Sequence, residues 1–110
     1  MALASDSTAA TNREFSDRFQ RLADEWKGQS RYLSNTAQIA MLKPYQRIIG
    51  MGHAAVPFIL RELEREPDQW FWALEAITGE NPVPQESAGK VRAMSSAWVE
   101  WGKSRGLLTG

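Results

Sequence analysis

The chain has 110 residues, 43% hydrophobic and 24% charged, which implies one globular domain with a modest core and excludes wholesale disorder. Thirteen basic and thirteen acidic residues cancel to a formal net charge of zero, which argues against a polyanion binder working by bulk electrostatics. The lack of cysteine excludes disulfide scaffolds, thiolate zinc sites and cysteine nucleophiles and fits a reducing, cytoplasmic setting; one histidine, His53, is a poor basis for a metal site or a serine–histidine relay.

The opening MALASDSTAA has neither a basic nor an apolar region of a secretory signal, and residues 1–11 read as a disordered leader ahead of a single helical domain over 12–110. No apolar run approaches the roughly 18 residues of a membrane span. Phe15, Phe19, Leu22, Ala23 and Trp26 form one apolar stripe at helical period. Thr11 and Glu14 suggest a capping box at its start, and Gly28 a stop. Ser34 and Asn35 are candidate N-caps for a short helix through Met41. Pro44 suits the first turn of the next, which carries Tyr45, Ile48 and Ile49 and ends at Gly50-Met51-Gly52.

The segment HAAVPFILRELERE places Val56, Ile59, Leu60 and Leu63 on one face, with Pro57 in the first turn. Pro67 breaks that helix and Asp68 is the expected cap of another, nearly all apolar from Trp70 to Ile77 and closed by Thr78-Gly79. GENPVPQES reads as a proline-stiffened loop. A last helix carries Val91, Met94, Ala97, Trp98 and Trp101, with Gly106 as its C-cap. No period-two alternation bounded by turns occurs, so the expectation is an all-α, compact bundle of about five helices.

Residues 50–79 resemble one unit of a HEAT-type helical repeat. The resemblance rests on Gly52, Ala55-Val56-Pro57, Ile59-Leu60, Leu63, Ala73-Leu74, Ile77 and Gly79, about a quarter of the chain. Trp70-Phe71-Trp72 departs from the pattern, and no second copy is evident, although a solenoid needs about three. YQRIIGMG and WFWALEAITGENP are also similar to small bacterial proteins. The HEAT-type resemblance implies scaffolding and protein recognition; one form of such a module is the accessory, antitoxin or immunity partner of a co-encoded bacterial protein.

Five tryptophans in 110 residues are the most unusual feature. Residues 70 and 72 of a helix point about 200° apart, so Trp70 and Trp72 do not face the same core. The helix is either buried on every side, which its composition favours, or it offers Trp72 as an exposed anchor. Trp98 and Trp101, one turn apart, read as core that joins Phe15, Phe19 and Trp26 between the terminal helices.

Charge is segregated. Residues 27–61 hold five bases and no acid, and residues 62–86 hold seven acids against Arg65 alone, or +5 followed by −6. The blocks either neutralise each other in the fold or polarise a surface that steers a charged partner. Glu62, Glu64, Glu66 and Asp68 alternate, which scatters them around a helix rather than converging them on a metal or a proton. His53 reads as a solvated first-turn residue, and Gly50-Met51-Gly52 lacks the lysine and hydroxyl of a phosphate loop. No cofactor is expected. The residue pattern favours a non-enzymatic protein-interaction module contacting its partner through Trp70, Trp72, the acidic turn Glu64, Glu66 and Asp68, and the Pro82–Pro84 loop. The alternative is a small nucleic-acid-binding regulator using the basic 27–61 block with Tyr32 and Tyr45 interleaved.

Overall fold

The apolar stripes come together as a six-helix bundle with two short 3₁₀ turns and, among the described residues, no strand. The computed structural model describes the backbone of residues 2–109 and the side chains of residues 11–109. α1 (Ala2–Ser30) runs through the Thr11–Glu14 box and past Gly28, so neither marks a helix end. α2 (Thr36–Met41) is capped by Asn35, whose side chain accepts the Gln38 N–H at 3.0 Å. One extended residue, Leu42, separates it from α3 (Lys43–Gly50), with Pro44 in the first turn as expected. A 3₁₀ turn, Gly52–Ala55, leads into α4 (Val56–Arg65), and α5 (Phe71–Thr78) follows. A second 3₁₀ turn at Gln85–Ser87 interrupts the proline loop before α6 (Val91–Ser104).

The most extensive helix contacts are α1 with α3, α4 with α6, and α3 with α5. α1 and α6 do not form an extensive pair, so the aromatic residues of the two terminal helices serve two separate clusters. In the larger one Trp26 lies 5.2 Å from Tyr45 and 4.4 Å from Trp70, centroid to centroid. Phe19 extends it, stacking on Trp70 at 6.0 Å and meeting Phe58 at 5.5 Å. Four helices therefore share one aromatic junction. Such rings bury 150–250 Å² each, the largest apolar contribution single residues make. In the smaller cluster Trp98 meets Trp101 edge-on at 5.1 Å. Trp98 is fully buried there, whereas Trp101 stays partly exposed and donates its indole N–H to Glu80 at 3.3 Å.

α6 ends in a Schellman motif. The Leu107 N–H reaches Gly102 O at 2.8 Å and the Gly106 N–H reaches Lys103 O at 3.1 Å, with Gly106 at φ 73°. This turn folds Leu108 into the core, where it covers Gly102, and packs Leu107 partly buried against the core's edge. Gly102 is where α6 comes close to α4, because an added Cβ would sit 2.6 Å from the Leu60 side chain. A Cβ added at Gly28, in contrast, would meet nothing within 4 Å beyond its own helix.

Alanine at these two helical glycines should therefore act with opposite sign. Gly28→Ala gains helix propensity and stabilises by about 1 kcal/mol. Gly102→Ala gains the same but overpacks Leu60 at about 1–3 kcal/mol, for a net loss of about 1 kcal/mol. Urea unfolding midpoints of the two variants, moving up and down respectively, check this pair.

Candidate protein-docking surface

Helix α5 begins without help from its own sequence. Its N-cap, Trp70, has no side chain that accepts an amide hydrogen. Asp68, the expected cap, accepts the N–H of its neighbour Gln69 at 2.8 Å instead, and its carbonyl takes the Trp70 N–H at 2.9 Å. Of the first-turn amides, which have no acceptor within the helix, that of Ala73 finds one on α3. The Tyr45 hydroxyl accepts from Ala73 N at 2.9 Å and donates to Gln69 O at 3.0 Å. One buried oxygen thus caps α5 and pins the turn before it. Burial raises the Tyr45 hydroxyl well above the phenol's ordinary 10.0. Its contribution to stability is therefore complete below that pH and is lost as pH rises above it.

The same turn is tied to α1 by charge. Glu62 is only 5% exposed, and its carboxylate takes Lys27 Nζ at 2.5 Å and the Arg65 guanidinium. The basic and acidic sequence blocks meet at this Lys27–Glu62 pair. Burial first, with Glu66 and Glu62 adding to it, pushes the Asp68 carboxyl above its usual value against the opposing pull of the Gln69 N–H and Lys27. Keeping Asp68 ionised at neutral pH thus costs the fold stability.

Three depressions surround the turn, and its successive residues point into different ones. Glu64 and Pro67 border a cleft of about 410 Å³ between α4 and α6, beside Arg92 and the buried Ser95. Glu66, Asp68 and Gln69 border a second, of about 380 Å³, facing Lys27, Arg31 and Leu33. Gln69 also borders the third, of about 570 Å³, lined by Phe71, Trp72, Glu75, Ala76, Met94 and Thr36. Segment 63–69 is the ridge common to all three.

The residues expected to meet a partner divide accordingly. Trp72 is 46% exposed, so the reading of α5 as buried on every side gives way: one face of this two-turn helix has no neighbour. Trp70 is 0% exposed inside the aromatic junction and is removed from any contact surface. Its indole N–H finds no acceptor among the described residues, nor does that of Trp98, whereas Trp26 donates to Ile39 O at 3.1 Å. Glu64 falls on the opposite side of the ridge from Glu66 and Asp68. Pro82, half-buried, and Pro84, exposed, border none of the three depressions. Thr36, Gln69 and Leu33 carry no reading in the sequence, and Met94 reads there only as part of the apolar face of α6; for Leu33 the available signal is Tyr32-Leu33, two adjacent large apolar residues in a polar stretch, both exposed.

Of the two tyrosines in the basic block, Tyr32 is exposed beside Arg31 and Tyr45 is withdrawn from the surface. Tyr45 is fully buried and Lys27 is engaged by Glu62. Lys43, Gln46 and Arg47 do share an exposed side of α3, but the Gln46 amide is held by Ala40 O at 2.7 Å. Among the described residues no group of three or more His, Asp or Glu side chains is placed to hold a metal ion, and His53 is exposed. No described helix is long and apolar enough to cross a membrane. Comparison of the chain with protein-family models, with curated proteins and with solved structures returns no match.

Tyr45→Phe removes one buried oxygen and orphans the Ala73 N–H and the Gln69 carbonyl, which should cost about 1–3 kcal/mol. Amide exchange should accelerate at Ala73 ahead of the α1 core. Uniform acceleration across all helices would deny the hydroxyl its local capping role.

Proposed function

We propose that this chain is a non-enzymatic protein-docking module whose partner lies across the 64–69 ridge and the groove beside Trp72. One observation carries the reading. Trp72 sits 46% exposed at the edge of an apolar-floored groove, while α5's other aromatic residue, Phe71, is buried. A half-exposed tryptophan beside a groove is the residue type that dominates protein interfaces, because its large area desolvates on contact at small entropic cost. Asp68 supports the reading from the side of charge, since a carboxyl whose ionisation is opposed by burial and by neighbouring carboxylates is a feature of functional surfaces. The Tyr45 cap and the Lys27–Glu62–Arg65 contacts hold the ridge rigid, so a partner meets a preorganised shape. A HEAT-type reading of residues 50–79 fits such a role, as does assignment to a small family of accessory or immunity proteins in bacterial cytoplasm.

Affinity capture from the source organism with the intact chain, Trp72→Ala and the exposed control His53→Ala tests the proposal. The expected result is one set of proteins retained by the intact chain and by His53→Ala and lost with Trp72→Ala. Retention of the full set by Trp72→Ala contradicts it.

A further inference from the structure

The groove beside Trp72 has one ionic group, Glu75, and no lysine or arginine among its lining residues. Glu75 lies one helical turn after Trp72, so the ring and the carboxylate are neighbours on the same side of α5. Ala76, also on that side, is too small to cover the ring. Among the described residues the side chains of Thr36, Gln69 and Glu75 make no hydrogen bond or ion pair within the chain. The next depression, sharing Gln69, adds Glu66 and Asp68 on its near side and Lys27, itself paired with Glu62, and Arg31 on its far side.

Elsewhere the molecule shows what such a pair takes. At the end of α6 the Arg105 guanidinium lies 5.0 Å from the Trp101 ring centroid and donates to both oxygens of Glu80, at 2.7 and 3.2 Å. Tryptophan, carboxylate and guanidinium there form a closed set. Trp72 and Glu75 offer the same two kinds of group on one side of α5, facing outward.

Resting on the docking reading above, we infer that the groove receives an arginine side chain from a basic segment of the partner protein, its guanidinium stacked on Trp72 and ion-paired to Glu75. Arginine fits better than lysine because its flat face matches the indole while its in-plane donors reach the carboxylate. Phe71, Ala76 and Met94 supply apolar contact for the side-chain stem.

Three fluorescein-labelled, capped alanine–leucine peptides of equal length test this, carrying arginine, lysine or glutamate at every fourth position. The arginine peptide should bind saturably, more tightly than the lysine peptide, and shift the Trp72 indole resonance; the glutamate peptide should not bind. Trp72→Ala should weaken arginine-peptide binding about tenfold and Glu75→Gln about fivefold. Glu86→Gln, an exposed carboxylate outside the groove, should leave it unchanged. Equal binding of the arginine and glutamate peptides overturns the inference, as does full affinity in Trp72→Ala and Glu75→Gln. Self-association seen by sedimentation and abolished by Trp72→Ala also overturns it, because a second copy then fills the groove. If Trp72→Ala loses the captured proteins while the arginine peptide fails to bind, the docking surface stands and its cation chemistry falls. If Trp72→Ala alters neither capture nor peptide binding, both fall.

Discussion

A single buried oxygen, the Tyr45 hydroxyl, ties the middle of this bundle to its surface. It accepts from the amide of Ala73 and donates to the carbonyl of Gln69, supplying from α3 the cap that α5 lacks locally. Its ring packs against both Trp26 and Trp70, which also touch each other, so the packing that fixes α1 against α3 also fixes where α5 starts. Without that bond, α5 would begin with an unpaired amide beside a turn free to change shape. The hydroxyl's resistance to ionisation follows from the same burial.

The surface properties follow from that arrangement. With Trp70 drawn inward as an N-cap residue and ring partner, helical geometry sends Trp72 outward, about 200° away. α5 has only two turns, and its contacts with α3 and the core use one side. The exposed indole is therefore a consequence of how the helix is anchored, and it lies beside a ridge that cannot easily move. Glu62 stiffens the ridge from the other end by holding Lys27 of α1 and Arg65 of its own helix. Rigid loops on a packed scaffold are well suited to recognition, because little ordering entropy remains to be lost on contact.

Local signals were legible in the sequence, and non-local ones were not. The α1 and α6 stripes, Asn35 as a cap, Pro44 and Pro57 in first turns, and Gly79 and Gly106 as C-terminal residues all act within a turn of themselves. Asp68 has the composition of an N-cap, but a hydroxyl 28 residues from Ala73 took that role. Gly28 resembles a stop, yet it does not take the positive φ of a C-terminal glycine and α1 runs on to Ser30. An apolar octapeptide says that a helix can be buried all round; which side lacks a neighbour depends on elements far along the chain. The acidic turn is legible as a candidate surface, while its division between two sides of a ridge, and the burial of Glu62 in the helix before it, depend on packing against other helices.

The most direct test of the central claim is solvent exchange of the five indole N–H protons in the free protein. Trp72 should exchange near the intrinsic rate, and Trp26, Trp70 and Trp98 only through global unfolding, the last two even though they have no acceptor among the described residues. A Trp72 indole protected as well as those three would place it inside the bundle and contradict the docking surface built around it.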